Sequence, residues 1–290
     1  MSVADPSEYR NVERENRLIQ ENIRRHDLIA ADYDKLHPEI FNPTERRRLN
    51  RQLHEATQYM RAKHVRSLDY GCGTGNVTRR LLLRGLEVWA ADVSPEMLRI
   101  VRERHPAEVE AGRLKVVQLP TNFPLPFPDR HFAFVAAYSV LHHVPDYLGA
   151  VRELVRVLDE GGVLYIDHEY NEQHWRRSIG TRVHRVLTMP SYSLSRGVVW
   201  LRALFGSKEP ALPPPEERGV SEEGDIHIYA DDHIDWSAIR SILAEEGLEA
   251  AVTEDYLLCR ETSRFPIRHW LCRFLAQDMG IYVGYRPFSG

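Results

Sequence analysis

Short apolar runs alternate with stretches of helical period through the middle of this chain. Runs near residues 65–70, 87–92, 114–118, 132–138 and 163–168 read as strands, and the segments between them as helices. That alternation predicts a parallel sheet with right-handed crossovers and helices on both faces. Towards the C-terminus, Trp236 to Glu246 reads as a helix capped by Asp235 and stopped by Gly247. Leu248 to Leu258 and Ile281 to Tyr285 read as two further strands, joined by a long link over 260–280. Residues 1–60 read as helical, with Val12, Ile19, Ile23 and Ala30 on one apolar stripe. Asn42-Pro43-Thr44-Glu45 starts a helix, with Asn42 as cap, Pro43 first and Glu45 reaching back. Between these helices, Tyr33 to Phe41 reads as a loop rich in Tyr, His and Phe. It is either a lid over a ligand or an anchor for a helical hairpin.

Candidate chemistry concentrates in Leu68-Asp69-Tyr70-Gly71-Cys72-Gly73-Thr74-Gly75-Asn76. A strand enters a glycine hairpin, which enters a helix. Three glycines at alternate positions let the backbone approach a bound molecule and offer amides to it. The spacing is G-x-G-x-G, not the G-x-G-x-x-G of dinucleotide-binding dehydrogenases. Asp69 suits a ligand with a cationic end, such as the amino group of S-adenosylmethionine (SAM). Asp92 closes the second strand, roughly 20 residues beyond the glycines, where a carboxylate can take both hydroxyls of a ribose. Ser94-Pro95 then opens a helix.

With these two segments the chain resembles the class I SAM-dependent methyltransferases. The likeness runs on through Leu125-Pro126-Phe127-Pro128-Asp129-Arg130-His131-Phe132, Ser139-Val140-Leu141-His142-His143-Val144 and Leu154-Val155-Arg156-Val157-Leu158-Asp159-Glu160-Gly161-Gly162. These look like successive motifs of the subgroup that holds ubiquinone/menaquinone-type and natural-product small-molecule enzymes, over about residues 60–170. The resemblance implies an α/β, Rossmann-like fold: a seven-stranded, mostly parallel sheet with helices on both faces. It implies a helical cap over 1–60, a core over 61–170 and 225–290, and an inserted substrate region over 171–224. The implied cofactor is S-adenosyl-L-methionine, released as S-adenosyl-L-homocysteine. Asp69, Gly71, Cys72, Gly73 and Gly75 would hold its methionyl part and Asp92 its ribose. Val93 and Met97 would flank the adenine, and Tyr138 ends strand four beside the ligand. Two departures stand out. Thr121, followed by Asn122, sits where relatives carry an adenine-binding Asp, and Ala133 sits where they carry Asp.

Methyl transfer from SAM mainly needs an aligned nucleophile and a dry site. An oxygen nucleophile is helped by a base. His142 and His143 follow strand four, and His168 and Glu169 end strand five. By analogy with similar O-methyltransferases, His142 or His143 would abstract the proton, supported by Asp167 or Glu169. Tyr33, His37 and Trp175 are candidate acceptor contacts.

Composition narrows the partners. A net charge of −4 does not suit a dedicated nucleic-acid binder, and no Asn-Pro-Pro-Tyr-type motif appears. Cys72, Cys259 and Cys272 have neither metal nor paired disulfide spacing, so a reducing cytoplasm and no metal are expected. The charged N-terminus does not read as a secretory signal, and no apolar run is long enough to span a membrane. From His174 to Lys208 the chain carries seven Lys or Arg, no Asp or Glu, and interleaved Trp175, Trp200, Leu201, Leu204 and Phe205. That insert fits an anionic or lipid-linked acceptor, peripheral contact with an anionic membrane, or a solvated helix pair packed on the core. The leading expectation is methylation of a small molecule on oxygen, such as a sugar, natural product or cell-envelope intermediate. The alternatives are a lipophilic, membrane-borne acceptor and a SAM-binding regulatory subunit without turnover.

Overall fold

The computed structural model describes residues 6–175, 214, 218–221, 224–260, 266–273 and 276–288. Most of the basic insert therefore lies outside the described residues. The chain opens with α1 (Pro6–Ile29), a 3-10 turn (Ala30–Asp32), α2 (Tyr33–Leu36), α3 (Pro38–Phe41) and α4 (Pro43–Thr57). The expected loop over Tyr33 to Phe41 is thus two single-turn helices, because Pro38 starts a new turn where the first one stops. The alternating core follows: β1 (Arg66–Tyr70), α5 (Asn76–Leu82), β2 (Glu87–Asp92), α6 (Pro95–Arg104), α7 (Pro106–Glu110), β3 (Leu114–Gln118), β4 (Phe132–Tyr138), α8 (Tyr147–Val157) and β5 (Leu158–Tyr170). It closes with α9 (Glu172–Trp175), α10 (Trp236–Glu245), β6 (Glu249–Tyr256), α11 (Ile267–Cys272) and β7 (Met279–Tyr285). The expected 260–280 link therefore contains a short helix.

The seven strands run in the order β3-β2-β1-β4-β5-β7-β6. β1 to β5 are parallel, and β7 lies antiparallel between β5 and β6. The fold is the expected mostly parallel, Rossmann-like sheet. Strand order reverses between β1 and β4, which opens a crevice at their carboxyl ends.

Two apolar layers hold the sheet, and period-2 alternation assigns side chains to each. Leu68, Val135, Ala137, Leu164 and Ile166 face one layer, closed by Val151, Leu154 and Val155 of α8 and by Ile239 and Leu243 of α10. Phe134, Ala136, Val163 and Tyr165 face the other, closed by Leu49 and Leu53 of α4 and Leu81 of α5. β4 is buried at every position, as a central strand covered on both faces must be.

Side-chain caps set several helix starts. Asn42 accepts from Thr44 and Glu45, Ser94 from Met97, and Asp235 from Ser237 and Ala238. Glu45 does not close a capping box. Its carboxylate instead takes the Cys259 amide at 3.0 Å and Arg48 at 2.6 Å. Arg48 also reaches Asp167 at 3.0 Å and lies over the Tyr256 ring, so α4 is tied to the end of β5 by a buried ionic network.

Candidate active site

The crevice holds a cleft walled by Gly71 and Gly73, by Asp92, Val93 and Met97, and by Thr121 and Asn122. Gly71, Gly73 and Gly75 all have positive φ, which keeps the loop tight. A Cβ on Gly73 would meet no protein atom within 4 Å, so ligand can approach there. On Gly71 a Cβ would lie 2.1 Å from Val140 Cγ2. Gly71→Ala is therefore expected to cost roughly 2–4 kcal/mol, from overpacking and a strained φ. Urea unfolding would measure this. An unchanged midpoint would mean that Val140 yields freely.

Asp92 stands on the cleft wall. Its Oδ2 accepts the Gly73 amide at 2.8 Å and its Oδ1 the Ser94 amide at 2.9 Å, which leaves lone pairs on both oxygens for further donors. Burial raises its pKa above the ordinary carboxylate range. Asp69 does not line the cleft. It points to the face covered by α5, where Thr78 Oγ1 donates to it at 2.5 Å, and it is 1% exposed. Burial pushes its pKa up to about 7, and Asp92 adds repulsion. Cys72 is buried in the apolar layer that α5 closes, and burial holds its thiol well above its usual pKa, which leaves it unreactive. Gly75 and Tyr138 also lie off the cleft wall, Tyr138 in the same layer as Cys72.

The residues present fit SAM. Two buried carboxylates with raised pKa values gain most from a cationic ligand. Asp92 has spare acceptor capacity for a diol, the cleft beside Val93 and Met97 is apolar, and the space over Gly73 is open.

The N-terminal helices close the cleft from above. Ile19, Asn22 and His26 of α1 line it, at i, i+3 and i+7. Ser94 Oγ donates to Asp27 at 2.6 Å, and Thr74 Oγ1 donates to Asp34 at 2.6 Å. Arg104 pairs with Asp34 at 3.0 Å. These helices are thereby fastened to the loops after β1 and β2.

A second, more polar cavity adjoins the first, and His26, Tyr33, Ser139 and His143 line both. Its other walls include His37, His142, His168 and Asp225. Here two left-handed residues, Ser139 (φ 54°) just after β4 and His168 (φ 67°) near the end of β5, bring their side chains together at 3.1 Å. Such strain in non-glycine residues concentrates at functional sites. A register shift between Asp167 and Glu169 makes His168 the bulged residue of β5. Without it, Asp167 and Glu169 would share a face. With it, Asp167 turns to Arg48, and Glu169 turns to the loop after β4. Glu169 Oε1 accepts the Val140 and Leu141 amides, both at 2.8 Å, and Oε2 takes His142 Nδ1 at 2.6 Å. Of the two acids considered as support for a base, Glu169 has the partner and Asp167 belongs to the ionic network.

His143 packs 4.1 Å from the His142 ring, edge-on to His26, with Asn22 Nδ2 donating to its Nδ1 at 3.0 Å. Burial, then the neighbouring imidazoles, hold its pKa well below the usual value, and it stays neutral. His168 is also held well below it by burial, then by Arg48. The buried Nε2 atoms of His37 and His168 have no hydrogen-bond partner among the described residues. Trp175 lines a separate surface depression with Tyr147 and His233, away from both cavities.

Sequence reasoning missed Asn22, His26 and Asp225. The first two share helical spacing with Ile19, a legible signal. Asp225 follows an acidic, proline-rich stretch in which one more carboxylate is unremarkable.

Residues 68–166 match the family model described as a methyltransferase domain. The ubiquinone/menaquinone biosynthesis C-methyltransferase of Azotobacter vinelandii is 33% identical over 141 residues, 48% of this chain and 54% of that protein. The demethylmenaquinone methyltransferase of Tropheryma whipplei is 36% identical over 100 residues, 34% of this chain and 39% of that protein. The chain thus spans about half the length, or less, of these curated relatives. Among solved structures, a SAM-dependent methyltransferase from Mesorhizobium loti has a TM-score of 0.51 at 16% identity, over 80% of this chain and 96% of that one. The methyltransferase in complex with the Haloferax volcanii Trm112 methyltransferase activator has a TM-score of 0.52 at 18% identity, over 91% of this chain and 98% of that one. At such identities these likenesses concern the fold. No helix among the described residues is long and apolar enough to cross a membrane.

Proposed function

Taking residues 68–166 as a methyltransferase domain of the class I, SAM-dependent kind, we propose that the chain methylates an oxygen of a small molecule held in the histidine-lined cavity. The observation that carries this reading is the His142–Glu169 pair, which opens on a cavity sharing a wall with the cofactor cleft. SAM, when bound, supplies a methyl group on a positively charged sulfur that is already activated for displacement. Asp92 and the glycine loop hold and orient it, and the α1 cap excludes water from its upper face.

Glu169 keeps the proton of His142 on Nδ1, so that Nε2 presents a lone pair. That nitrogen takes the proton of the acceptor hydroxyl, and Glu169 stabilises the imidazolium that results. His37 and His168, with buried and unpartnered Nε2 atoms, supply further polar contacts to the acceptor. A basic insert favouring an anionic or lipid-linked acceptor stays part of the proposal at the level of sequence.

A carbon acceptor is the second reading, because the Azotobacter vinelandii relative is named a C-methyltransferase. The same pair would then ionise a hydroxyl that activates an adjacent ring carbon. Incubation with methyl-labelled SAM and a panel of phenols, sugars and hydroxy acids, read by mass spectrometry and NMR, tests both. Label on oxygen is expected. Label on carbon overturns the oxygen assignment, and SAM binding with no transfer to any acceptor favours a non-catalytic role.

A further inference from the structure

We propose that His142 Nε2, His143 Nδ1 and Asp225 Oδ1 bind one divalent transition-metal ion of the Zn²⁺, Co²⁺ or Ni²⁺ class. The three ligand atoms lie within 4.8 Å of one another. Asp225 Oδ1 is 3.6 Å from His142 Nε2 and 3.6 Å from His143 Nδ1. Those gaps are too long for hydrogen bonds. They suit two ligands on one ion, since metal–nitrogen bonds of about 2.0–2.1 Å in tetrahedral geometry separate ligand atoms by roughly 3.4 Å. Two imidazoles and one carboxylate select this class over Mg²⁺ and Ca²⁺, which prefer all-oxygen sites.

The surroundings are those of a metal ligand set. His142 donates its other ring nitrogen to Glu169 at 2.6 Å, the carboxylate–histidine arrangement that orients a ligating imidazole and raises its basicity. Glu169 is itself fixed by two amides and fully buried. Asp225 is brought in by backbone pairing, with the amides of Ile226 and His227 donating to the His142 carbonyl at 2.9 and 3.2 Å. Asn22 donates to His143 Nδ1, which marks that nitrogen as the one with a lone pair. An ion would replace Asn22 there, while Asn22 keeps its 2.7 Å bond to the Gly224 carbonyl. The adjoining cavity leaves room for water or an acceptor oxygen to complete the coordination.

This site goes beyond the methyl-transfer reading and does not rest on it. Ion and proton compete for the same His142 lone pair, so the two are alternative occupancies. The full chain, stripped with chelator, should be titrated with Co²⁺ in the absence of SAM and acceptor, and followed by visible absorption. One equivalent with d–d bands of low coordination number is expected. Asp225→Asn and His143→Gln should each weaken binding about 10-fold or more, and Glu169→Gln should do so about 10- to 100-fold through His142. Circular dichroism confirms that each variant is folded. Absence of saturable binding at one equivalent, or binding unchanged in the folded Asp225→Asn/His143→Gln double variant, overturns the proposal.

Discussion

Replacing Glu169 by glutamine is expected to lower kcat by about 10²- to 10⁴-fold, the usual worth of a positioned base, with SAM affinity little changed. The carboxylate has two separable tasks. Its Oε1 holds the Val140 and Leu141 amides, and its Oε2 holds the proton of His142 on Nδ1. A glutamine carbonyl can keep the first task. Its amide NH₂ then faces His142 Nδ1 and favours the opposite tautomer, with the proton on Nε2. The base is thereby disarmed with the fold retained. His142→Ala should give a loss of similar size, and the double variant little more, because the two residues act as a unit. The losses should fall on kcat more than on KM. Wild-type turnover in both single variants would place the base elsewhere, or show that none is needed.

Asp69→Asn is expected to stabilise the ligand-free protein at pH 8 by up to about 4 kcal/mol and to weaken its grip on SAM. The sign follows from a folded-state pKa of about 7 against an ordinary value of 3.8. The folded chain holds a proton on this carboxyl that the unfolded chain releases. The resulting stability is fully present below pH about 4 and is lost as pH rises through 7, at roughly 1.4 kcal/mol per unit. Asparagine, which never ionises, escapes that loss. The stability gap between variant and wild type should therefore open between pH 4 and 7. A cationic ligand works against the same cost, because it favours the ionised forms of Asp69 and Asp92. SAM affinity of the wild type should rise with pH through 7, and that rise should be smaller in Asp69→Asn, where only Asp92 still titrates. Urea titrations and calorimetry at pH 5, 6, 7 and 8 measure both. A pH-independent gap would show that Asp69 is ionised throughout.

Much of the candidate cofactor cleft was legible because its parts are local. A glycine hairpin between a strand and a helix, and an acid at the next strand end, are set by neighbours in sequence. Gly71, Gly73, Asp92, Val93, Met97, Thr121 and Asn122 accordingly meet on one wall. Asp69 is the exception on the cofactor side. Alternation along β1 sends Tyr70 to the cleft and Asp69 behind it, against Thr78. Its influence on a ligand is one of charge through a dry interior rather than contact. Beyond that cleft, His142, His143 and His168 share a cavity, whereas Trp175 lies apart from it.

By itself, then, the order of apolar runs, glycines and caps determined the strand–helix alternation and the glycine turn after β1, which depend on contacts a few residues apart, and the alternation in turn implied a parallel core. The choice between Asp167 and Glu169 was decided only in three dimensions. Both follow the same alternation, and a single bulge at His168, set by pairing with β7, sends one to Arg48 and the other to His142. Likewise, Asn22 and Asp225 stand 203 positions apart in the numbering. They meet the histidine pair only because α1 and the segment before α10 close over the same end of the sheet, and no periodicity along the chain encodes such a meeting.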